Sequence, residues 1–190
     1  MKKLLVLALL LTVGASFGQK TETTENKEVN KNKTTYSLFG FVGNTVGGGA
    51  EMEYEYTKEK DAYAKTLVFA GGYEKLEITR FGITADAVVN EVSLGGRTYM
   101  NKNKETKGFF YSNYLTYGKG KFKESFYSGK YRYFSFFKPE LGYRFQFGKV
   151  NLNLFLNTMW KIEIKGKGDI ENTYHDNWKT KGGITVGYSF

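Results

Sequence analysis

The 190-residue chain has no cysteine, one histidine and a single proline, Pro139. Without cysteine there is no disulfide framework, no thiolate nucleophile, no thiolate metal site and no lipoprotein-type anchor residue. With one histidine as well, metal binding has no support. The chain also lacks an apolar run of the roughly twenty residues that a helical membrane span needs. Its longest such run, Leu4 to Val13, is ten residues. Lys2 and Lys3 precede that run, and the small-x-small pattern Ser16-Phe17-Gly18 follows it. This arrangement reads as a secretory signal peptide over residues 1–18, cleaved before Gln19.

Residues 19–34 hold one apolar side chain, Val29, among lysine, glutamate, asparagine and threonine. Such a segment cannot bury enough apolar surface to offset its ordering entropy, so a disordered periplasmic tail is expected. Formal charge is +9, and removing Lys2 and Lys3 with the signal leaves 26 basic against 19 acidic residues, or +7. The bases are scattered among acids and not gathered on one helix, and an exported chain rarely meets nucleic acid. A nucleic-acid partner is therefore rejected, and lipopolysaccharide phosphates are the better-placed acidic partner.

What is abundant is aromatic: 15 tyrosines and 16 phenylalanines. They lie in short segments rich in valine, isoleucine and threonine, divided by glycine, asparagine, aspartate and lysine clusters, from Tyr36 onward. No sustained helical period occurs outside the signal, so residues 35–190 read as a single all-β domain. Alternation is clearest from Tyr131 to Lys165. Leu141, Tyr143, Phe145 and Phe147 share one face, and after Gly148-Lys149 the pattern resumes as Val150, Leu152, Leu154 and Leu156. A two-residue hairpin with glycine first suits a type II′ turn. It pairs Phe147 with Val150, Phe145 with Leu152 and Tyr143 with Leu154, and on the other face Gln146 with Asn151 and Arg144 with Asn153. Period alone cannot say which face points inward. The fifteen alternating residues from Val150 to Ile164 would run about 50 Å, longer than an ordinary strand.

Strands are expected at 36–43, 50–57, 62–77, 89–100, 108–117, 131–147, 150–165 and 178–190. Thr79 to Val88 and residues 118–130 are then outer loops, and 101–107 is a longer turn on the opposite side. The total is eight; making Ile78 to Val88 a separate strand would give nine, which an even-numbered barrel disfavours.

At the carboxyl end Ile184, Val186, Tyr188 and Phe190 lie on one face and close the chain on an aromatic. This resembles the terminal signature of bacterial outer-membrane barrels, in which Tyr188 and Phe190 would be read by the barrel-assembly machinery. By its period, turns and terminus the chain from residue 36 is similar to the small eight-stranded outer-membrane barrel proteins of the OmpX and OmpA type, and through Gly108-Phe109-Phe110-Tyr111 and Pro139-Glu140-Leu141-Gly142-Tyr143-Arg144 its carboxy-terminal half is also similar to outer-membrane barrel proteins with glycine-tyrosine strands. The resemblance implies an antiparallel up-and-down transmembrane barrel in the bacterial outer membrane, with a filled lumen and no cofactor. Members of that group serve in surface adhesion, envelope integrity or evasion of host defence, and a few are lipid-modifying enzymes or narrow channels; a structural or surface-interaction role without catalysis is expected here.

The lumen network would be Glu140, Arg144, Gln146, Asn151, Asn153, Asn157, Lys161 and Glu163. Outer loops near Lys119, Lys121, Lys123, Tyr127, Lys167 and Tyr174 would meet an external partner. Two alternatives stay open. One is an outer-leaflet lipid-modifying enzyme built on His175 with Asp176 and Ser125 or Ser128, since some barrel acyltransferases and deacylases use a histidine with a serine and a carboxylate. The other is a soluble lipocalin-like barrel around an apolar ligand.

Overall fold

The computed structural model describes residues 33–80, 83–123, 128–164 and 178–190. Among them are nine strands and no helix: β1 Thr34–Gly43, β2 Val46–Glu55, β3 Ala64–Arg80, β4 Ile83–Tyr99, β5 Gly108–Lys123, β6 Ser128–Phe137, β7 Pro139–Phe147, β8 Val150–Glu163 and β9 Trp178–Ser189. Every pairing is antiparallel, consecutive strands pair except β6 with β7, and β1 returns to β9 from Thr35↔Ser189 to Gly43↔Lys181. β6 and β7 both pair with β5 on one side and β8 on the other, so they are two halves of one stave. The fold is a closed, up-and-down ring of eight staves, with the outer end of the β3–β4 pair extending past its neighbours.

The break between β6 and β7 has a local cause. Phe136 and Phe137 both face outward, and the register with β8 shifts there. This is a bulge, and it moves the inward phase from Tyr131, Tyr133 and Ser135 to Lys138, Glu140 and Arg144. Pro139 follows and has no N–H for the ladder. Asn113 on β5 seals the gap, accepting from Lys138 N at 3.0 Å and donating to Phe136 O at 3.4 Å.

The β7–β8 hairpin has the register that alternation gives, from Phe147↔Val150 through Arg144↔Asn153. Gly148 has φ +60° and Lys149 does not have positive φ, as a type II′ turn requires. The structure also settles the faces. Leu141 is 64% exposed and Leu156 59%, whereas Asn151 and Asn153 are fully buried. The apolar face points out and the polar face points in.

Two expected outer loops are corrected. β3 and β4 pair continuously to Arg80↔Ile83, so Thr79, Arg80 and Ile83 to Val88 belong to a ladder, and no separate strand exists there. β5 runs to Lys123 and β6 starts at Ser128, so Lys119, Lys121 and Lys123 lie on a strand. Apolar alternation marks only the part of a strand that has apolar surroundings, and the hydrogen-bond ladder continues past it. Gly118 and Gly120 look like breakers in the sequence but face inward. A Cβ on Gly118 would lie 2.4 Å from the Tyr133 ring, so glycine here makes room for that ring.

The two rims differ. Thr34, Phe190, the turns 56–63 and 100–107 and the tight turn at Gly148 share one rim; the other carries the ends of the β1–β2, β3–β4, β5–β6 and β8–β9 pairs. At the first rim Asp61 organises the turn. It accepts from Lys58 N at 3.0 Å and from Lys65 Nζ at 2.8 Å, and these donors hold its carboxyl below the usual range.

Candidate functional site

The wall and the lumen have opposite chemistry. Outside, Leu38, Leu67, Phe69, Val92, Leu115 and Leu154 form an exposed apolar belt. Aromatic rings flank it: Tyr36, Tyr54, Phe109, Phe147 and Tyr188 toward the terminal rim, and Tyr73, Tyr117, Phe134, Phe137 and Trp178 toward the other. On β5 the belt from Phe109 to Tyr117 covers about 27 Å of strand, or about 20 Å of height at the roughly 40° tilt usual for such barrels.

Inside, the described residues include ten buried charged side chains. Five are acids (Glu51, Glu53, Glu74, Glu91 and Glu140) and five are bases (Arg97, Lys138, Arg144, Lys161 and Lys181). A buried charge persists only when it is compensated; nine of the ten are paired with opposite charges in two clusters, and the tenth, Lys161, lies over aromatic rings.

The cluster nearer the terminal rim centres on Glu53, on β2. Its carboxylate accepts from Arg97 Nη1 at 3.0 Å, Arg144 Nη2 at 2.5 Å, Tyr99 OH at 2.7 Å and Thr66 Oγ1 at 2.7 Å. Arg97, on β4, also donates to Ser112 at 3.1 Å, Glu51 at 3.3 Å, Tyr114 OH at 2.9 Å and Glu140 at 3.1 Å. Arg144 Nε donates to Asn153 at 2.7 Å, and Asn157 donates to Glu140 at 3.3 Å. The two guanidiniums lie over rings, Arg97 on Phe110 at 4.5 Å and Arg144 on Tyr99 at 4.8 Å. Below them Ala64, Tyr99, Phe110 and Phe155 form an apolar floor.

The second cluster lies toward the other rim. Lys181 Nζ bonds Glu74 and lies 3.5 Å from Glu91, which Lys138 Nζ approaches at 3.6 Å. Tyr133 OH donates to Glu74 at 2.8 Å and also contacts Glu91, and Thr45 donates to Glu74 at 3.1 Å. Among the described residues no carboxylate is in contact with Lys161. Its ammonium lies over Tyr133 at 4.9 Å and Tyr131 at 5.5 Å, so ring faces carry the cation. Between the clusters is a cavity of about 40 Å³, lined by Glu51, Glu91, Glu140, Lys138, Lys181 and Phe155 among others. That is room for about three waters. The interior can satisfy charge and hold a little water; it does not resemble the apolar cavity of a lipid-carrying barrel.

Of the expected lumen network, Glu140, Arg144, Asn151, Asn153, Asn157 and Lys161 are buried inside, while Gln146 and Glu163 are half-buried near the strand ends. Gln146 donates to Gly148 O in the turn. Sequence reasoning passed over Glu51, Glu53, Glu74, Glu91, Arg97, Lys138 and Lys181. A signal existed in β2, where Glu51, Glu53 and Glu55 alternate with Met52 and Tyr54. On the outer wall Lys119 and Lys121 are exposed on β5. Ser128 opens β6 and is exposed. Ser125, Tyr127, Lys167, Tyr174, His175 and Asp176 lie outside the described residues, as does the side chain of Lys123. Tyr188 and Phe190 face outward and pack edge to face at 4.9 Å, with Tyr36 against Phe190 at 5.9 Å.

No protein-family model and no curated protein matches the chain. Among solved structures it is similar to the crystal structure of Ail, the attachment invasion locus protein of Yersinia pestis, with 14% identity and a TM-score of 0.44, covering 84% of this chain and 97% of that one. At that identity and score the likeness carries no argument for function or partner.

Proposed function

We propose that this protein is an integral barrel of a bacterial outer membrane, exported by its signal peptide and inserted through recognition of Tyr188 and Phe190. Its lumen is filled, and it serves as a structural and surface-interaction protein that offers its basic, aromatic loop end to an outside partner. One observation carries the reading: the wall is apolar outside and charged inside, the inverse of a soluble barrel. Nine buried charges paired in two clusters, with Lys161 held over aromatic rings, support a rigid plug over a pore. Catalysis is no part of the proposal.

The orientation follows from putting the termini on the periplasmic side. An epitope inserted after Glu124, between β5 and β6, is expected to be stained by antibody on intact cells. The same epitope inserted after Lys102, in the turn at the opposite rim, is expected to stain only after the outer membrane is permeabilised. Staining of the Lys102 insertion on intact cells, with none after Glu124, would reverse the orientation and remove the proposed binding end.

A further inference from the structure

Just beyond the apolar belt, β5 and β6 place four cations on one outward patch. Lys119 is directly opposite Arg132, and Lys121 is directly opposite Lys130. The inward neighbours are Gly118, Gly120, Tyr131 and Tyr133, which fixes these four on the outer face. Directly opposed side chains have Cβ atoms about 4.5–5.5 Å apart, and like charges there repel. None of the four has an acidic partner within salt-bridge distance among the described residues. Of the acids on the adjoining strands, Asp86 on β4 is engaged by Lys75 at 2.6 Å and Glu163 on β8 has the inward phase between the exposed Ile162 and Ile164. Arg132 Nε is buried and has no hydrogen-bond partner. A sheet that sets four cations side by side and leaves a buried guanidinium N–H unfilled is short of an anion at this spot.

The neighbouring rows indicate which anion. One step toward the belt, Tyr117 is opposite Phe134 and Phe134 is opposite Ile162, all outward and apolar. Ile164, whose N–H donates to Arg132 O at 3.0 Å, continues that surface beside the guanidinium. A free phosphate would use only the cations. A molecule carrying phosphate on a headgroup above acyl chains would use both surfaces together.

We infer that Lys119, Lys121, Lys130 and Arg132 form a binding site for the phosphates of a membrane glycolipid headgroup, whose acyl chains lie on the Tyr117–Phe134–Ile162 surface. The site rests on the membrane reading proposed above, and it deepens that reading by naming residues and partner chemistry. An anionic surface attracts each nearby lysine or arginine by about 1 kcal/mol, so removing one cation should lower lipid retention about fivefold.

The test uses the mature protein refolded into phosphatidylcholine vesicles that also contain diphosphoryl lipid A or its phosphate-free derivative. Lipid retained per barrel after extraction in mild detergent is read by native mass spectrometry. Diphosphoryl lipid A is expected to be retained and the phosphate-free form lost. Lys119→Gln, Lys121→Gln, Lys130→Gln and Arg132→Gln combined should abolish retention, while Lys58→Gln, Lys60→Gln and Lys102→Gln at the opposite rim should leave it unchanged. Excess inorganic phosphate should not displace the lipid. Equal retention by the fourfold variant, equal retention of the phosphate-free lipid, or displacement by inorganic phosphate each overturns the inference. In all arms a heat-modifiable gel band reports insertion separately, so failure of the membrane reading shows as a missing band and failure of the site shows with the band present.

Discussion

Replacing Glu53 by leucine is expected to cost the barrel about 3–5 kcal/mol of unfolding free energy, the usual result of stripping one partner from a buried ion pair. Glu53 is 2% exposed and binds both Arg97 and Arg144. Without it the described interior changes from balanced to net positive, and Arg144 loses the one carboxylate that lies within salt-bridge distance of it among the described residues. Tyr99 and Thr66 lose an acceptor at the same time. Urea unfolding of vesicle-inserted protein, followed by tryptophan fluorescence, measures the loss. Adding Arg144→Met to Glu53→Leu should return part of it, because an apolar pair then replaces an orphaned charge. A loss below about 1 kcal/mol for Glu53→Leu would mean that water reaches the cluster and that the lumen is not the filled plug proposed.

Leu154→Arg is expected to cost about 2–4 kcal/mol, because Leu154 lies on the outward face of β8 within the apolar belt, where a cation would face hydrocarbon. The penalty should depend on depth. Val46→Arg, at the end of β2 on the loop rim, should cost about 1 kcal/mol or less by the same measurement. A soluble barrel would show neither penalty, since both side chains are exposed and surface substitutions usually fall within about 0.5 kcal/mol. Equal, negligible costs at the two positions would contradict a lipid-facing wall.

Much of this architecture is visible in the residue pattern. In the β7–β8 hairpin the alternation is strict and the turn glycine unambiguous, so the sequence determines the register residue by residue. The pattern fails where it changes phase or loses its apolar half. Phe136 and Phe137 both point outward at the bulge, and a period-two reading across Tyr131 to Phe147 cannot register the slip. Pro139 was the local sign of it. The outer parts of β3, β4, β5 and β6 carry charges and glycines and look like loops, although their ladders continue.

The lumen was half legible. Residues on the clean hairpin, such as Arg144 and Asn153, could be assigned to the polar face, but the carboxylate that Arg144 binds, Glu53, sits 91 residues away in sequence. Period two places a residue on a face; it says nothing of which acid meets which base across a closed ring. Glu51, Glu53, Glu74 and Glu91 come from three strands, and only ring closure brings them to the bases of β4, β7 and β9.

The central claim is that the apolar wall faces lipid. The most direct measurement expresses the full chain, separates soluble from outer-membrane fractions, and runs the membrane fraction on a gel with and without boiling. The account predicts the protein in the outer-membrane fraction, with an unboiled band that migrates differently from the boiled one. A soluble product whose mobility is unchanged by boiling would contradict it.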